Sequence, residues 1–197
     1  MTLSTMLPMS AFALAASISP GPVNLVCLSS GTRYPVHQGL IFVTGATLGF
    51  LVLFVAVGLG LYSVLAMVPV LKEVLTWAGV AFVFYLSYQL ALDDGRLPES
   101  EVPKAPGFMS GVFMQWLNPK AWLASASGIG AFTSGSEFNQ VIVFAALYLP
   151  ICWLSLSGWV FAGAFLRRYV HRADILVTIN RMLAGMLAAS CVYLVIN

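Results

Sequence analysis

The sequence predicts an all-α membrane protein with six transmembrane helices, arranged as two inverted three-helix repeats whose first helices are broken at Pro motifs. Three observations lead to this fold class: an apolar composition, long uncharged runs, and matching breaks in the two halves. Of the 197 residues, 60% are hydrophobic and 8% are charged, against roughly a quarter charged in an average soluble domain. Such a chain cannot cover a water-soluble surface.

The charged residues cluster and leave long uncharged runs between them. A helix of about 20 residues spans a hydrocarbon core of about 30 Å, and each run is close to that length or longer. The runs cover residues 1–32, 34–71, 74–92, 121–136 and 138–166. With Pro and turn residues as boundaries, they predict helices near residues 4–30, 38–66, 70–92, 107–132, 138–166 and 175–195.

We expect a single transmembrane domain over residues 1–197, divided by a charged, Pro-rich loop at 93–106. Repeat 1 then covers about 1–92 and repeat 2 about 107–197. The first segment lacks the basic start of a signal peptide, so we interpret it as a retained helix. The formal charge of +2 is too small and too dispersed to indicate a nucleic-acid partner.

The distribution of Lys and Arg predicts the orientation in the membrane, because basic loops stay cytoplasmic. Six basic residues fall in loops on one side and only Lys72 on the other; the six are Arg33, Arg96, Lys104, Arg167, Arg168 and Arg172. Both termini are therefore predicted to be periplasmic, and each odd-numbered half is inverted relative to the other. Arg181, inside the sixth segment, is expected to snorkel to the cytoplasmic face.

The first helix is interrupted by Ser19-Pro20-Gly21-Pro22. Pro20 and Pro22 have no N–H to donate, so the carbonyls of Ala16 and Ile18 are freed at membrane depth. Such backbone is tolerated only where protein buries it or a wet cavity adjoins it. A new half-helix would begin at Pro22, with Asn24 in its first turn and an N-terminus that favours an anion.

The fourth helix has a matching break at Gln115-Trp116-Leu117-Asn118-Pro119-Lys120. Pro119 frees the Gln115 carbonyl, and Asn118 precedes it as an N-cap precedes a Pro at the first helical position. Lys120 lies near the middle of the segment, where insertion costs about 3 kcal/mol. A chain that retains such a residue usually turns it to the bundle interior, towards a partner or a substrate.

Discontinuous helices at corresponding places in two inverted halves indicate the binding site of a transporter. Lys120 and the half-helix N-termini would hold a carboxylate. The freed carbonyls, with Ser19, Asn24 and Asn118, would accept hydrogen bonds from an ammonium group, so a zwitterionic amino acid fits both. The candidate binding residues are Ser19, Pro20, Gly21, Pro22, Asn24, Gln115, Asn118, Pro119 and Lys120.

The remaining features indicate packing. Cys27, Cys152 and Cys191 lie in three apolar segments and are interpreted as small buried hydrophobes, and neither His37 nor His171 looks like an intramembrane ligand. We expect neither a metal site nor a cofactor. The pairs Gly45/Gly49 and Gly107/Gly111 predict close helix packing within the bundle, with homodimerisation as the minor alternative. The Trp and Tyr residues, among them Trp116, Trp122, Tyr148, Trp153 and Trp159, are interpreted as core or interface residues.

The sequence resembles the LysE/RhtB family of amino-acid exporters. The resemblance rests on Ser19-Pro20-Gly21-Pro22-x-Asn24-Leu25, on Gly31, Gly39, Gly45 and Gly49, and on Asn118-Pro119-Lys120-Ala121, and it covers essentially the whole chain. It implies efflux of amino acids or close derivatives across the bacterial inner membrane, driven by the proton-motive force. By length and general pattern, the cysteine and O-acetylserine exporter branch is the most similar.

Proton coupling usually needs an ionisable group in the pathway, yet no Asp or Glu lies deep in any segment. Asp93, Glu137 and Asp174 are at helix ends. One of them couples, or Lys120 itself titrates, or export is driven by potential or by exchange. The alternatives to an exporter are a metal-ion or thiol-redox carrier, which needs a ligand cluster that is absent here, and a non-transporting subunit. No catalytic constellation indicates an enzyme.

Overall fold

The computed structural model describes residues 3–61, 105–133, 138–169 and 173–196, together with single positions between 67 and 92. In these ranges every regular element is an α-helix, which confirms the all-α prediction. Seven helices have bounds within the described ranges, and they are α1 (Leu3–Ile18), α2 (Pro22–Arg33), α3 (Val36–Gly58), α4 (Phe108–Trp116), α5 (Pro119–Phe132), α6 (Phe138–Tyr169) and α7 (Ala173–Ile196).

Both predicted helix breaks are present. The first helix ends at Ile18 and α2 begins at Pro22, with a bend of 59° between them. The fourth predicted helix is likewise divided, because α4 ends at Trp116 and α5 begins at Pro119. In both cases a Pro occupies the first helical position, where its missing N–H costs no intrahelical bond.

The second predicted helix is shorter than the sequence indicated. We expected it to continue to residue 66, but α3 ends at Gly58 and a turn follows at Leu59 and Gly60. Gly60 has a φ of 98°, which is the left-handed region that glycine adopts without steric cost. The turn therefore ends the helix eight residues early.

Among the described helices, Val36–Gly58 and Phe138–Arg167 are long and apolar enough to cross a membrane, and α1 with α2 forms a third candidate if the bent pair is one span. The third predicted helix, near 70–92, lies largely outside the described residues. So does most of the loop at 93–106, with Lys72, Asp93, Arg96, Lys104, Glu137 and Arg172. Six crossings in two inverted repeats stay a prediction. Arg181 has an exposed side chain on α7.

One half of the bundle is held together by direct backbone contact. A Cβ on Gly31 of α2 would collide with the Val160 carbonyl of α6, and one on Gly163 with the Leu28 carbonyl of α2. Between α3 and α4, a Cβ on Gly45 would collide with the Phe108 carbonyl, and one on Gly111 with the Phe42 carbonyl. Glycine at these places lets the helix axes approach. We call this the basic half, because Arg33 ends α2 there.

These contacts test the prediction that the four glycines of the two spaced pairs pack closely against neighbouring helices. Gly45, Gly49 and Gly111 pack within the chain, Gly49 against Val112, which confirms close packing inside the bundle at three of the four positions. The prediction for Gly107 was wrong, since a Cβ there would meet nothing within 4 Å. Gly107 precedes α4 as its N-cap residue in extended backbone, and it lies before the helix–helix contact begins.

The other half of the bundle packs through aromatic side chains. Phe12 of α1, Phe132 of α5 and Phe144 of α6 contact one another with ring centroids 5.6 to 6.3 Å apart. Phe54 of α3 adds an edge-to-face contact with Phe144 at 5.0 Å. Edge-to-face pairs are favourable at such distances. We call this the aromatic half, because the contacts among its described residues are between ring side chains.

Candidate functional site

The two helix breaks face each other across the centre of the bundle, and Lys120 joins them. Its Nζ donates a hydrogen bond of 2.6 Å to the carbonyl of Ser19 and one of 3.3 Å to that of Pro20. Gly21 leaves room for this approach, since a Cβ there would lie 3.0 Å from the Lys120 Cδ and 3.2 Å from Nζ. The ammonium of one break thus binds the open backbone of the other.

The carbonyls freed at the first break have all found donors. Asn24 Nδ2 donates to the Ser17 carbonyl at 2.8 Å, and Ser19 Oγ to the Ala16 carbonyl at 3.2 Å. The indole N–H of Trp159, on α6, donates to the Ile18 carbonyl at 3.2 Å. The prediction that Ala16 and Ile18 need partners from outside the helix ladder is confirmed, and this agrees with the cost of leaving a buried acceptor unpaired.

The second break is completed differently. Asn118 is the predicted N-cap, and its Oδ1 accepts the Lys120 backbone N–H at 3.1 Å. The indole of Trp122 donates to the Trp116 carbonyl at 2.7 Å. The Gln115 carbonyl, which we predicted to be free, accepts the Asn118 backbone N–H at 3.2 Å. A tight turn therefore satisfies that carbonyl, and it offers no open acceptor.

Two tryptophans have equivalent roles as caps of the half-helices, and the sequence did not predict these roles. Trp159 caps the last carbonyl of α1 and Trp122 caps the last carbonyl of α4. The sequence contains five Trp residues, and nothing in their spacing distinguishes these two. Only the folded arrangement shows which indole reaches an orphan carbonyl.

A small cavity of about 40 Å³ lies between the breaks. Four of the predicted binding residues line it: Asn24, Gln115, Asn118 and Lys120. Ser19, Pro20 and Gly21 contact Lys120 rather than the cavity, while Pro22 and Pro119 begin α2 and α5 and do not line it. The remaining lining residues are Ala16, Ser17, Val23, Phe50, Ala121, Ala124, Tyr148, Cys152 and Leu156.

Helix α6 contributes cavity residues that the sequence analysis assigned to packing. Tyr148, Cys152 and Leu156 are spaced by four residues and therefore share one helix face. Cys152 is buried, as predicted for the thiols, and so is Cys27. Cys152 also lines the cavity, where Thr47 Oγ1 lies 3.9 Å from its sulfur. The spacing of four was a usable signal, but apolar membrane helices repeat it on every face.

The cavity has an unpartnered hydroxyl. Ser17 is 8% exposed and its Oγ has no hydrogen-bond partner among the described residues. It lies close enough to the Tyr148 phenol and the Cys152 thiol to interact with both, although neither contact has the geometry of a hydrogen bond. A buried polar group without a partner costs about 1 to 3 kcal/mol, so this position favours a ligand or a water that supplies a hydrogen bond.

Lys120 is the sole charged side chain among the residues that line this cavity. Its partners are neutral carbonyls, and the α5 N-terminus adds positive dipole charge beside it. The site therefore has an unmatched positive charge that an anionic group would complete. In the part of the chain that the structure describes, no group of three or more His, Cys, Asp and Glu residues could hold a metal ion.

A largely apolar cavity that contains one ammonium group and lies between two discontinuous helices, inside a bundle of apolar helices, is the arrangement of a membrane carrier. The family comparison agrees with this class: the model for "LysE type translocator" matches residues 14–197. The chain belongs to this family. Its members are transporters, not enzymes, and the apolar helices together with the bacterial relatives indicate a multi-pass protein of the bacterial inner membrane.

Several curated relatives carry the name cysteine/O-acetylserine efflux protein. Those of Salmonella choleraesuis and Salmonella typhimurium are each 27% identical to the chain over 176 residues, which cover 85% of this chain and 89% of the relative. That of Escherichia coli O157:H7 is 23% identical with the same coverage. No solved structure matches the chain significantly.

Proposed function

We propose that the protein exports small neutral amino acids or close derivatives, of the kind represented by cysteine and O-acetylserine, and that they bind in the cavity between the breaks. The observation that supports this most directly is the Lys120 ammonium, which is bound by neutral carbonyls, with no carboxylate among the described residues that line the cavity. A substrate carboxylate would supply the missing negative charge. The names of the relatives support the same class of substrate.

In this proposal each part of a zwitterion has its own partners. Lys120 and the N-terminus of α5 bind the carboxylate through charge-assisted hydrogen bonds. The amide oxygens of Asn24 and Asn118 accept from the substrate ammonium, and so do the carbonyls of Ser19 and Pro20 once Lys120 has turned to the carboxylate. Ser17, which has a free hydroxyl beside Tyr148 and Cys152, faces a short polar side chain.

The cavity must widen before it can hold such a substrate. A water needs roughly 10 to 15 Å³ of such volume, so a cavity of about 40 Å³ has room for about three waters. An amino acid is larger than that. Substrate loading is therefore coupled to a movement of the helices that surround the cavity.

We further propose the membrane arrangement that the sequence predicts: six crossings, with residues 1–92 and 107–197 as inverted halves of one domain and both termini periplasmic. The proposed driving force is the proton-motive force. Because no carboxylate lines the described cavity, Lys120 is our candidate for the group that carries the proton. Homodimerisation stays a prediction.

Uptake into inside-out membrane vesicles tests the function. Vesicles with the wild-type protein should accumulate labelled cysteine, kept reduced, and labelled O-acetylserine, and an imposed pH gradient should increase accumulation. Lys120→Met should lose this activity while still inserting. Arg181→Met is the matched control, because it removes one positive charge from an exposed position and should retain transport. Accumulation of no amino acid by wild-type vesicles would contradict the proposal.

A further inference from the structure

The contact between Lys120 and the first break indicates how the backbone carbonyls at that break take part in substrate binding. We propose that the carbonyls of Ser19 and Pro20 form an ammonium site, which Lys120 occupies while the cavity is empty and which the primary ammonium of the transported molecule takes over. This inference rests on the proposed function and specifies how the substrate enters its site. It makes Lys120 a tethered competitor of the substrate.

The two carbonyls have the properties of a cation site. They follow α1 directly, at the end where the helix dipole is negative. Among the described residues, no backbone N–H donates to either carbonyl. The first backbone hydrogen bond after them runs from the Leu25 N–H to the Gly21 carbonyl. Both converge on a single Nζ at 2.6 and 3.3 Å. The acceptors left by the break are thus committed to an ammonium group.

An exchange of ammonium groups keeps the charge of the site constant. The empty site contains one positive charge, that of Lys120. A zwitterion adds no net charge, its ammonium replaces Lys120 on the carbonyls, and its carboxylate gives the released Lys120 a stronger, charge-assisted partner. No buried charge or acceptor is left unpaired at the end, which would otherwise be costly in a low-dielectric interior.

The geometry also allows Lys120 to leave. Its ammonium is at the end of a flexible stem of four carbons, and Gly21 offers no side chain that would hold it in place. Asn118 anchors only the backbone N–H of Lys120. The side chain can therefore turn from the carbonyls to an incoming carboxylate without a change in α5.

Two ligand requirements follow. A molecule without a primary ammonium cannot displace Lys120, so N-acylation should abolish recognition even if the carboxylate and side chain are kept. A simple amine without a carboxylate would place a second positive charge beside Lys120, so wild-type protein should exclude it. When the Lys120 side chain is removed, the carbonyl pair is vacant, and the protein should then bind a simple amine.

The first test uses wild-type protein and two isomers. O-Acetyl-L-serine and N-acetyl-L-serine have the same composition, but only the former has a free ammonium. In inside-out vesicles, we expect uptake of the N-acetyl isomer to be lower by roughly ten- to a hundredfold, as is typical when a hydrogen bond to a charged group is lost. Equal uptake of the two isomers would overturn the exchange.

The second test fills the vacant site in a variant. Lys120→Ala removes the side chain beyond Cβ, and propylammonium has the atoms that are lost. Thermal unfolding of the purified protein in detergent, at fixed pH and ionic strength, should shift upward by a few degrees with propylammonium for Lys120→Ala. Wild type and Lys120→Met should not respond, because their own side chains fill the space, and 1-propanol should have no effect. Equal shifts in all three proteins would overturn the inference.

The two tests separate this inference from the proposed function. Export of O-acetylserine with equal export of its N-acetyl isomer would leave the function intact and remove the ammonium exchange. Absence of any amino-acid export, with a propylammonium shift specific to Lys120→Ala, would remove the proposed substrates and leave the carbonyl pair as a cation site. If Lys120→Ala does not fold, the comparison of isomers in wild-type protein decides alone.

Discussion

The break between α1 and α2 directs two backbone carbonyls at the centre of the bundle, whereas the break between α4 and α5 directs an ammonium group there. At the first, Gly21 is an N-cap without a side-chain hydrogen bond, and the Ser19 and Pro20 carbonyls remain open to Lys120. At the second, Asn118 caps α5 and a turn occupies the Gln115 carbonyl. Two similar Pro motifs therefore present groups of opposite polarity to each other, carbonyls at one and an ammonium at the other, and together they can complement a zwitterion.

The strongest way to break this complementarity is to place a negative charge between the breaks. In Lys120→Glu a carboxylate would face two carbonyl oxygens in a partly buried position, so repulsion adds to the cost of desolvation. We expect little or no folded protein, measured as the monodisperse fraction in size-exclusion chromatography. Lys120→Gln, which keeps a donor, is the control and should fold. A normal yield of Lys120→Glu would contradict the assigned contact.

A second change tests the space at Gly21. Its φ of −171° is extended backbone that any residue adopts, so Gly21→Val should fold. Its Cβ would nonetheless lie 3.0 Å from Lys120 Cδ, and the branched methyl groups would exclude the ammonium from the carbonyls. We expect loss of export by more than about tenfold with an unfolding temperature close to wild type. Gly130→Val, where a Cβ meets nothing within 4 Å, should retain export.

The third comparison concerns two asparagines, one at each break. Asn24→Ala leaves the buried Ser17 carbonyl without its donor, which should cost about 1 to 3 kcal/mol. Asn118→Ala removes an N-cap, which should cost about 1 kcal/mol. Denaturation of both variants in mixed detergent should rank Asn24→Ala as the less stable. The opposite ranking would show that the second break depends more on its cap than the first does on its side-chain bond.

The smallest expected effect concerns the tryptophan indole that caps a half-helix at each of the two breaks. Trp159→Phe and Trp122→Phe each remove an indole donor from the last carbonyl of a half-helix, and each should cost about 0.5 to 1.5 kcal/mol of stability. Similar losses in thermal unfolding would identify them as equivalent caps. A large loss for Trp122→Phe alone would indicate that its contact with the Trp116 ring, at 6.2 Å between centroids, matters more than its N–H.

The sequence predicted the helix breaks because Pro acts locally: it removes a donor and fixes the position of a helix start. Lys120 was predictable for a related reason, since a charge in an apolar segment needs a partner. The end of α3 was missed, because a φ of 98° at Gly60 is one of several conformations open to glycine. Tyr148 and Cys152 were missed because their role depends on which face of α6 meets the other helices, and an apolar sequence contains little information on that face.

The glycine contacts of the basic half have a mechanical consequence. Since α2 meets α6, and α3 meets α4, through backbone atoms, a rotation of one helix of a pair would bring a larger side chain against the backbone of the other, so each pair resists a change of packing. In the aromatic half the described contacts join ring side chains, and side chains can change rotamer. The widening that substrate loading requires would therefore meet less steric resistance in the aromatic half than in the basic half.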